Sequence, residues 1–364
     1  MDGEFFLMRL TFRWFDGTDP IPLRYIRQIP GMRGIVSALY DLAPGVAWST
    51  AEVAALRARS EASGLEFRIV ESIPVHEDIK LGGPAKDEGT AAWIASLRAV
   101  AEALRPRSAA TGSEDPVVVT YNFMPVFDWT RSDLACVLAD GSTALAYDAE
   151  TVARMDPLNG ELELPGWLAS YTRDELRGLL DVYRSTPPET VYANLVSFLR
   201  DVTPEAERLG IKLALHPDDP PWPLFGIPRV MTGAASVRRL LADVPSPANG
   251  LCLCSGSFGA DPANDIPAMA REFAGRIHFA HLRNIAITSP GSFTETAHYS
   301  GAGSLDMADI VEALVDTGYE GPVRPDHGRV IWDEKSKPGY GLFDRALGAA
   351  YLLGLIERSE YARR

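Results

Sequence analysis

Short apolar runs recur along the whole chain, and a segment with helical spacing follows most of them. Eight of these runs read as buried parallel strands: "MRLTFRW" (8–14), "IVSALY" (35–40), "FRIVES" (67–72), "PVVVTYN" (116–122), "IKLALH" (211–216), "LCLC" (251–254), "RIHFAH" (276–281) and "PVRPD" (322–326). Helical spacing appears at 50–64, 91–104, 203–210, 236–244 and 306–318. Thr50 is the expected cap of the first of these, and Gly64, Gly210 and Gly318 stand where a helix needs a left-handed residue to end. Eight strand-then-helix units without a fixed sequence period predict one α/β domain over 1–364, a (β/α)8 TIM barrel, rather than a solenoid or two dinucleotide-binding domains. The rhythm breaks between 122 and 202, a stretch too long for one crossover, which predicts an inserted helical cap after the fourth strand. "RPRSAATGSEDP" (105–116) has the composition of a surface loop.

Composition narrows the field further. The chain has 364 residues, 46% hydrophobic and 23% charged, enough for a sizeable core. No apolar run approaches the ~20 residues of a membrane span, and the first residues lack a basic region followed by an apolar stretch, so no membrane partner is expected and the cytoplasm is the default. Cys136, Cys252 and Cys254 are too few and too badly spaced for a disulfide framework. A net charge of -14 disfavours a nucleic-acid partner and with it a nuclease on this scaffold. A small anionic substrate would need local arginines.

In such a barrel the chemistry lies where each strand stops. The strand ends here are Trp14, Tyr40, Glu71, Tyr121 with Asn122, His216, Cys254, His281 and Asp326. Four successive strands therefore finish in metal-ligand types. Taken singly, a histidine or cysteine reads as an ordinary core residue; four at corresponding positions read as a metal site. The two-residue period selects among them: His281 shares the face of Ile277 and Phe279, whereas His278 points to the helix layer, and Cys252 sits one layer deeper than Cys254. Two imidazoles, a thiolate and a carboxylate suit Mn2+, Fe2+ or Zn2+ better than Mg2+ or Ca2+. Arg324 shares the face of Asp326 and is placed to orient it. Arg13, Arg283, Arg329 and Arg345 also lie near strand ends or the segments that follow them, and an arginine fork is suited to a substrate carboxylate. His327 and Tyr340 follow the last strand, where they either exchange protons with substrate or only brace a neighbouring group.

These residues fall in blocks that resemble the mannonate dehydratases of the UxuA type: "MRLTFRWF", "VESIPVHEDIKLG", "YNFMPVFDWTRSDL", "LPGW", "LALHPDDPPWPLFGIPR", "LCLCSGSFG", "RIHFAHLRN" and "RPDHGRVIW" followed by "PGYGLFDRALGAAYLLGL". The resemblance covers almost the whole chain. It implies a TIM-barrel lyase that converts D-mannonate to 2-dehydro-3-deoxy-D-gluconate and water with Mn2+ or Fe2+, in hexuronate breakdown. It further implies His216, Cys254, His281 and Asp326 as metal ligands, His327 and Tyr340 as catalytic residues, and a homo-oligomer. Arg13, Arg283, Arg329 and Asn122 are the candidate substrate contacts. The segment 84–116 departs from the family pattern, so contacts that relatives make there are not carried over. Two rivals stand beside this reading: a metal-dependent sugar isomerase or epimerase on the same barrel, and a sugar-acid-binding relative without turnover.

Overall fold

The structure is a computed structural model that describes residues 8–105, 116–158 and 172–363. The expected surface loop, for most of its length, and the "LPGW" block at 164–167 lie outside the described residues.

All eight expected runs form parallel strands: β1 (Arg9–Arg13), β2 (Met32–Ser37), β3 (Glu66–Glu71), β4 (Val117–Tyr121), β7 (Ile211–Leu215), β8 (Asn249–Cys254), β9 (Ile277–Leu282) and β12 (Pro322–Pro325). They close into a barrel in the order β1-β12-β9-β8-β7-β4-β3-β2, with Leu10 beside Val323 sealing the seam between first and last. The β-branched and apolar residues of these strands are buried on both faces, as a sheet wrapped by helices requires. Inside the barrel, Val36, Ile69, Val118, Ala214, Cys252 and Phe279 form one packed apolar layer.

The helices follow the periodicity, with local differences. The first long helix runs Thr50–Ala62, but its cap is Ser49, whose hydroxyl accepts from the Glu52 amide while the Glu52 side chain accepts from the Ser49 amide. The expected helix at 203–210 is the end of a longer one, Pro188–Leu209, closed by Gly210 at φ 69°. Gly64 and Gly318 likewise end helical segments at φ 73° and 70°. Among the described residues no helix is long and apolar enough to cross a membrane.

The segment after β4 carries helices, Ala149–Arg154, Arg173–Ser185 and the start of Pro188–Leu209, and it also carries a hairpin. That hairpin, β5 (Asp133–Val137) and β6 (Thr143–Tyr147), joins a second hairpin after β9, made of β10 (Ile285–Ser289) and β11 (Ser292–Glu295). The four strands form an antiparallel sheet in the order β10-β11-β6-β5. Its side chains Tyr147, Phe293 and Ile285 pack with Val152, Leu224 and Ala260 into a small core of their own.

Candidate active site at the barrel mouth

The residue two places beyond the apolar layer on the same strand points into the barrel again, one layer nearer the carboxyl ends. There the side chains change character. Ile69 gives way to Glu71, Val118 to Thr120, Ala214 to His216, Cys252 to Cys254 and Phe279 to His281, while β12 contributes Arg324 and then Asp326. These groups border or underlie a cavity of about 430 Å³ that Phe15, Tyr40, Asn122, Asp128 and Tyr340 also line.

Cys254, His281 and Asp326 each offer a ligand atom within 4.8 Å of the others. Cys254 Sγ lies 3.6 Å from Asp326 Oδ2 and 3.0 Å from Ser257 Oγ. The His216 and His281 rings face each other with centroids 5.1 Å apart. His216 Nδ1 donates to the Pro217 carbonyl at 2.8 Å, which leaves Nε2 with its lone pair free, the state a metal ligand needs. His281 Nε2 is buried 3.2 Å from Glu71 Oε2. A carboxylate there favours the tautomer protonated at Nε2, so that Nδ1, 3.9 Å from Asp326 Oδ2, keeps the lone pair. The donor set therefore fits a borderline divalent cation. His216, Cys252 and His281 form a second group of matching spacing. Burial in the apolar layer, with Glu71 and Cys254 adding to it, pushes the Cys252 thiol well above its ordinary range, which makes it the poorer ligand.

Two charge clusters hold this layer in place. In the first, Glu71 Oε1 lies 2.9 Å from Arg13 Nη1 and 3.0 Å from Arg324 Nη2, while Arg324 Nη1 reaches Asp326 Oδ1 at 2.8 Å. Burial alone would raise the Glu71 carboxyl; Arg324, His281 and Arg13 outweigh it and hold the group well below the usual carboxylate range. In the second, Asp219 and Glu295 are shared by Arg131 and Arg283, with contacts of 2.6 to 2.9 Å, and Ser257 Oγ donates to Asp219 at 3.1 Å. Against the same burial penalty, His327, Arg283 and Arg131 keep the Glu295 carboxyl at about 2. Removing one member of such a buried set costs about 3–5 kcal/mol, because a charge is left uncompensated.

His327 stands where the second cluster meets the cavity. Its Nδ1 lies 2.9 Å from Glu295 Oε1 and 2.8 Å from Arg283 Nη1, and its Nε2 lies 2.9 Å from Tyr340 Oη. Burial, the largest influence on Tyr340, raises its pKa, so the phenol keeps its proton. Nδ1 thus meets an acceptor, Glu295, and a permanent donor, Arg283, so either tautomer of the ring is supported from behind, and the Tyr340 hydroxyl donates to Nε2 in one and accepts from it in the other. Opposite, Asp128 accepts from Asn122 Nδ2 at 3.0 Å, and burial pushes its carboxyl up, against the directions of Glu71 and Asp326.

The structure thus gathers His216, Cys254, His281, Asp326, His327, Tyr340, Arg13 and Asn122 around one mouth. Two expected substrate contacts are placed elsewhere. Arg283 is fully buried beneath the cavity, committed to Asp219, Glu295 and His327. Arg329 points away, its guanidinium 2.8 Å from Asp344 Oδ1 and 2.7 Å from Asp140 Oδ2. Arg345 donates to the Gly341, Tyr340 and Arg13 carbonyls and so buttresses the loop rather than reaching into the cavity. Asp218 accepts from the Val230 and Met231 amides and fastens the proline-rich loop after His216. Glu71 stands at a strand end already legible in sequence, on the face of Ile69, yet its role appears only with its partners; Arg131, Glu295 and Asp128 carry no spacing signal at all.

A closed parallel barrel with a group of candidate metal ligands and a hydrogen-bonded histidine–tyrosine pair at its carboxyl mouth is a (β/α)8 protein of the kind that carries an active site at that end of the strands. Within that class, a profile of the family described as D-mannonate dehydratase (UxuA) matches residues 8–364, and the chain belongs to this family. It is 51% identical to mannonate dehydratase 2 of Halalkalibacterium halodurans over 96% of this chain and 99% of that protein. It is 47% identical to the mannonate dehydratase of Streptococcus uberis over 96% and 98%. The crystal structure of mannonate dehydratase from Streptococcus suis serotype 2 superposes with a TM-score of 0.87 at 43% identity, covering 98% of this chain and 94% of that one.

Proposed function

We infer that this chain dehydrates D-mannonate to 2-dehydro-3-deoxy-D-gluconate. The observation that carries the reading, beyond family membership, is the His327–Tyr340 pair at 2.9 Å beside the cluster of Cys254, His281 and Asp326. The reaction removes a proton from C2, which is weakly acidic because the neighbouring carboxylate resists further negative charge, and expels hydroxide from C3. It needs one group that accepts a proton and one that supplies it, each worth typically ~100- to 10,000-fold. His327 Nε2 and Tyr340 Oη share one hydrogen bond, so one of the two can accept a proton while the other supplies one, and the bond between them lets the pair be re-set after turnover. Glu295 fixes the imidazole from behind through Nδ1. His216, Cys254, His281 and Asp326 would hold the metal, which when bound supplies Lewis-acid stabilisation of charge developing on substrate oxygens. Mn2+ or Fe2+ as the ion, hexuronate breakdown as the setting and a homo-oligomer as the working form rest on the resemblance to the family; the cytoplasm as location rests on composition.

The test is direct. Protein loaded with Mn2+ and given D-mannonate should release one equivalent of a 2-keto-3-deoxy acid, read by its reaction with periodate and thiobarbiturate. An isomerised or epimerised sugar acid, with no loss of water, would replace this reading with the isomerase one.

A further inference from the structure

A cavity that takes a sugar acid needs a positive charge not already neutralised by the protein. Among the described residues, three lysine or arginine side chains line the cavity: Arg13, Arg324 and Lys337. Both arginines are engaged, sharing Glu71, and Arg324 pairs with Asp326 as well. Lys337 differs. No carboxylate or hydrogen-bond acceptor among the described residues pairs with its Nζ, which stands 5.1 Å from the centre of the Phe15 ring, and the side chain is half-buried at the cavity wall. An aromatic face attracts an ammonium but leaves its N–H groups without acceptors.

Its position is fixed relative to the proton-transfer pair. The Tyr340 amide donates to the Lys337 carbonyl at 2.9 Å, closing a turn with Gly339 at φ 76°. The Phe15 ring meets Tyr340 edge-on with centroids 4.7 Å apart. The ammonium and the Tyr340 hydroxyl therefore belong to one wall. The charges agree with this placement. Arg13 and Arg324 are offset by Glu71 and Asp326, and the Asp219–Glu295 pair by Arg131 and Arg283; burial pushes Asp128, the remaining carboxyl on the cavity wall, toward its neutral form, so Lys337 is the lining cation left to meet a monoanion.

We propose that Lys337 is the residue that selects an aldonate over a neutral sugar or alditol, by donating to the substrate's carboxylate. The assignment rests on the dehydratase reading for the identity of the substrate, but its test does not depend on turnover. In the Mn2+-loaded protein, Lys337→Met should lower kcat/KM for D-mannonate by about 10- to 100-fold, the range of one charge-assisted hydrogen bond. D-gluconate, an aldonate, should bind more weakly by a similar factor in calorimetry, whereas D-mannitol, the alditol of the same carbon skeleton, should bind as it does to the unaltered protein. Lys337→Arg should recover most of the aldonate preference. Because Nζ has no hydrogen bond among the described residues and gives up only its contact with the Phe15 ring, the melting temperature should change little. Equal weakening of gluconate and mannitol, or weakening of neither, would overturn the proposal. Failure of the unaltered protein to dehydrate mannonate would instead remove the dehydratase reading, while the gluconate-to-mannitol ratio still decides the role of Lys337.

Discussion

Two consecutive layers of one barrel, separated by two residues on each strand and so by roughly 6.6 Å along it, behave as different materials. The lower holds Val36, Ile69, Val118, Ala214, Cys252 and Phe279 and contains no charge. The upper holds Glu71, Cys254, His281 and Arg324, all buried, with the buried Asp326 two residues beyond Arg324. The backbone presents both in the same way, so residue type and depth alone create the difference. The cysteines make the point within a single residue type. Cys252 is surrounded by aliphatic and aromatic groups, which keep its thiol protonated; Cys254, two residues on, has Asp326 and Ser257 within 3.6 Å. An apolar floor also serves the polar layer above it, because low dielectric strengthens each ion pair that is properly matched and penalises each that is not.

The contrast can be broken at its top. His327→Asn removes the imidazole partner of Tyr340 while leaving the four proposed ligands, and turnover of mannonate should fall by about 100- to 10,000-fold with metal content unchanged; near-normal turnover would remove His327 from the chemistry. It can be sharpened with the cysteines. Cys254→Ser should weaken Mn2+ affinity by about tenfold or more, since a hydroxyl is a much poorer ligand than a thiolate, and Cys252→Ser should leave that affinity alone, as titration with metal and a competing chelator would read. The smallest effect concerns acid stability. Glu295 is held at about 2, below its ordinary value near 4.3, so its contribution is present above that ordinary value and is lost as pH falls toward 2. Glu295→Gln should therefore lower the melting temperature at neutral pH and flatten its decline between about pH 4 and 2.

What the sequence discloses follows from the same geometry. Buried parallel strands leave continuous apolar runs, and the inward-facing set is fixed by a period of two, so the barrel, the choice of His281 over His278 and the depth of Cys252 are legible without coordinates. The second sheet is not, because β5 alternates exposed and half-buried residues and β11 has four residues, too little for either to stand out from a loop. Arginines are the other blind spot. Arg13 and Arg283 look alike in sequence, but Arg283 finds Asp219 and Glu295, 64 and 12 residues away, and is consumed by them. Lys337 escapes notice for the opposite reason: with no carboxylate paired to it among the described residues, it belongs to no pattern.

The four-stranded sheet beside the mouth also sets an order of assembly. Strand β6 finds its neighbour in β11, with Phe293 opposite Tyr147, and the two hairpins are separated in the chain by three barrel strands, β7, β8 and β9. A chain emerging from its amino end thus carries an unfinished edge from Tyr147 until Ser292 has been made. Arg131 waits likewise for Glu295, 164 residues later. The lattice that steadies His327 is complete only when the penultimate barrel strand and its hairpin have arrived, so the surroundings of the His327–Tyr340 pair are among the last parts of the molecule to exist, after the scaffold that must carry them.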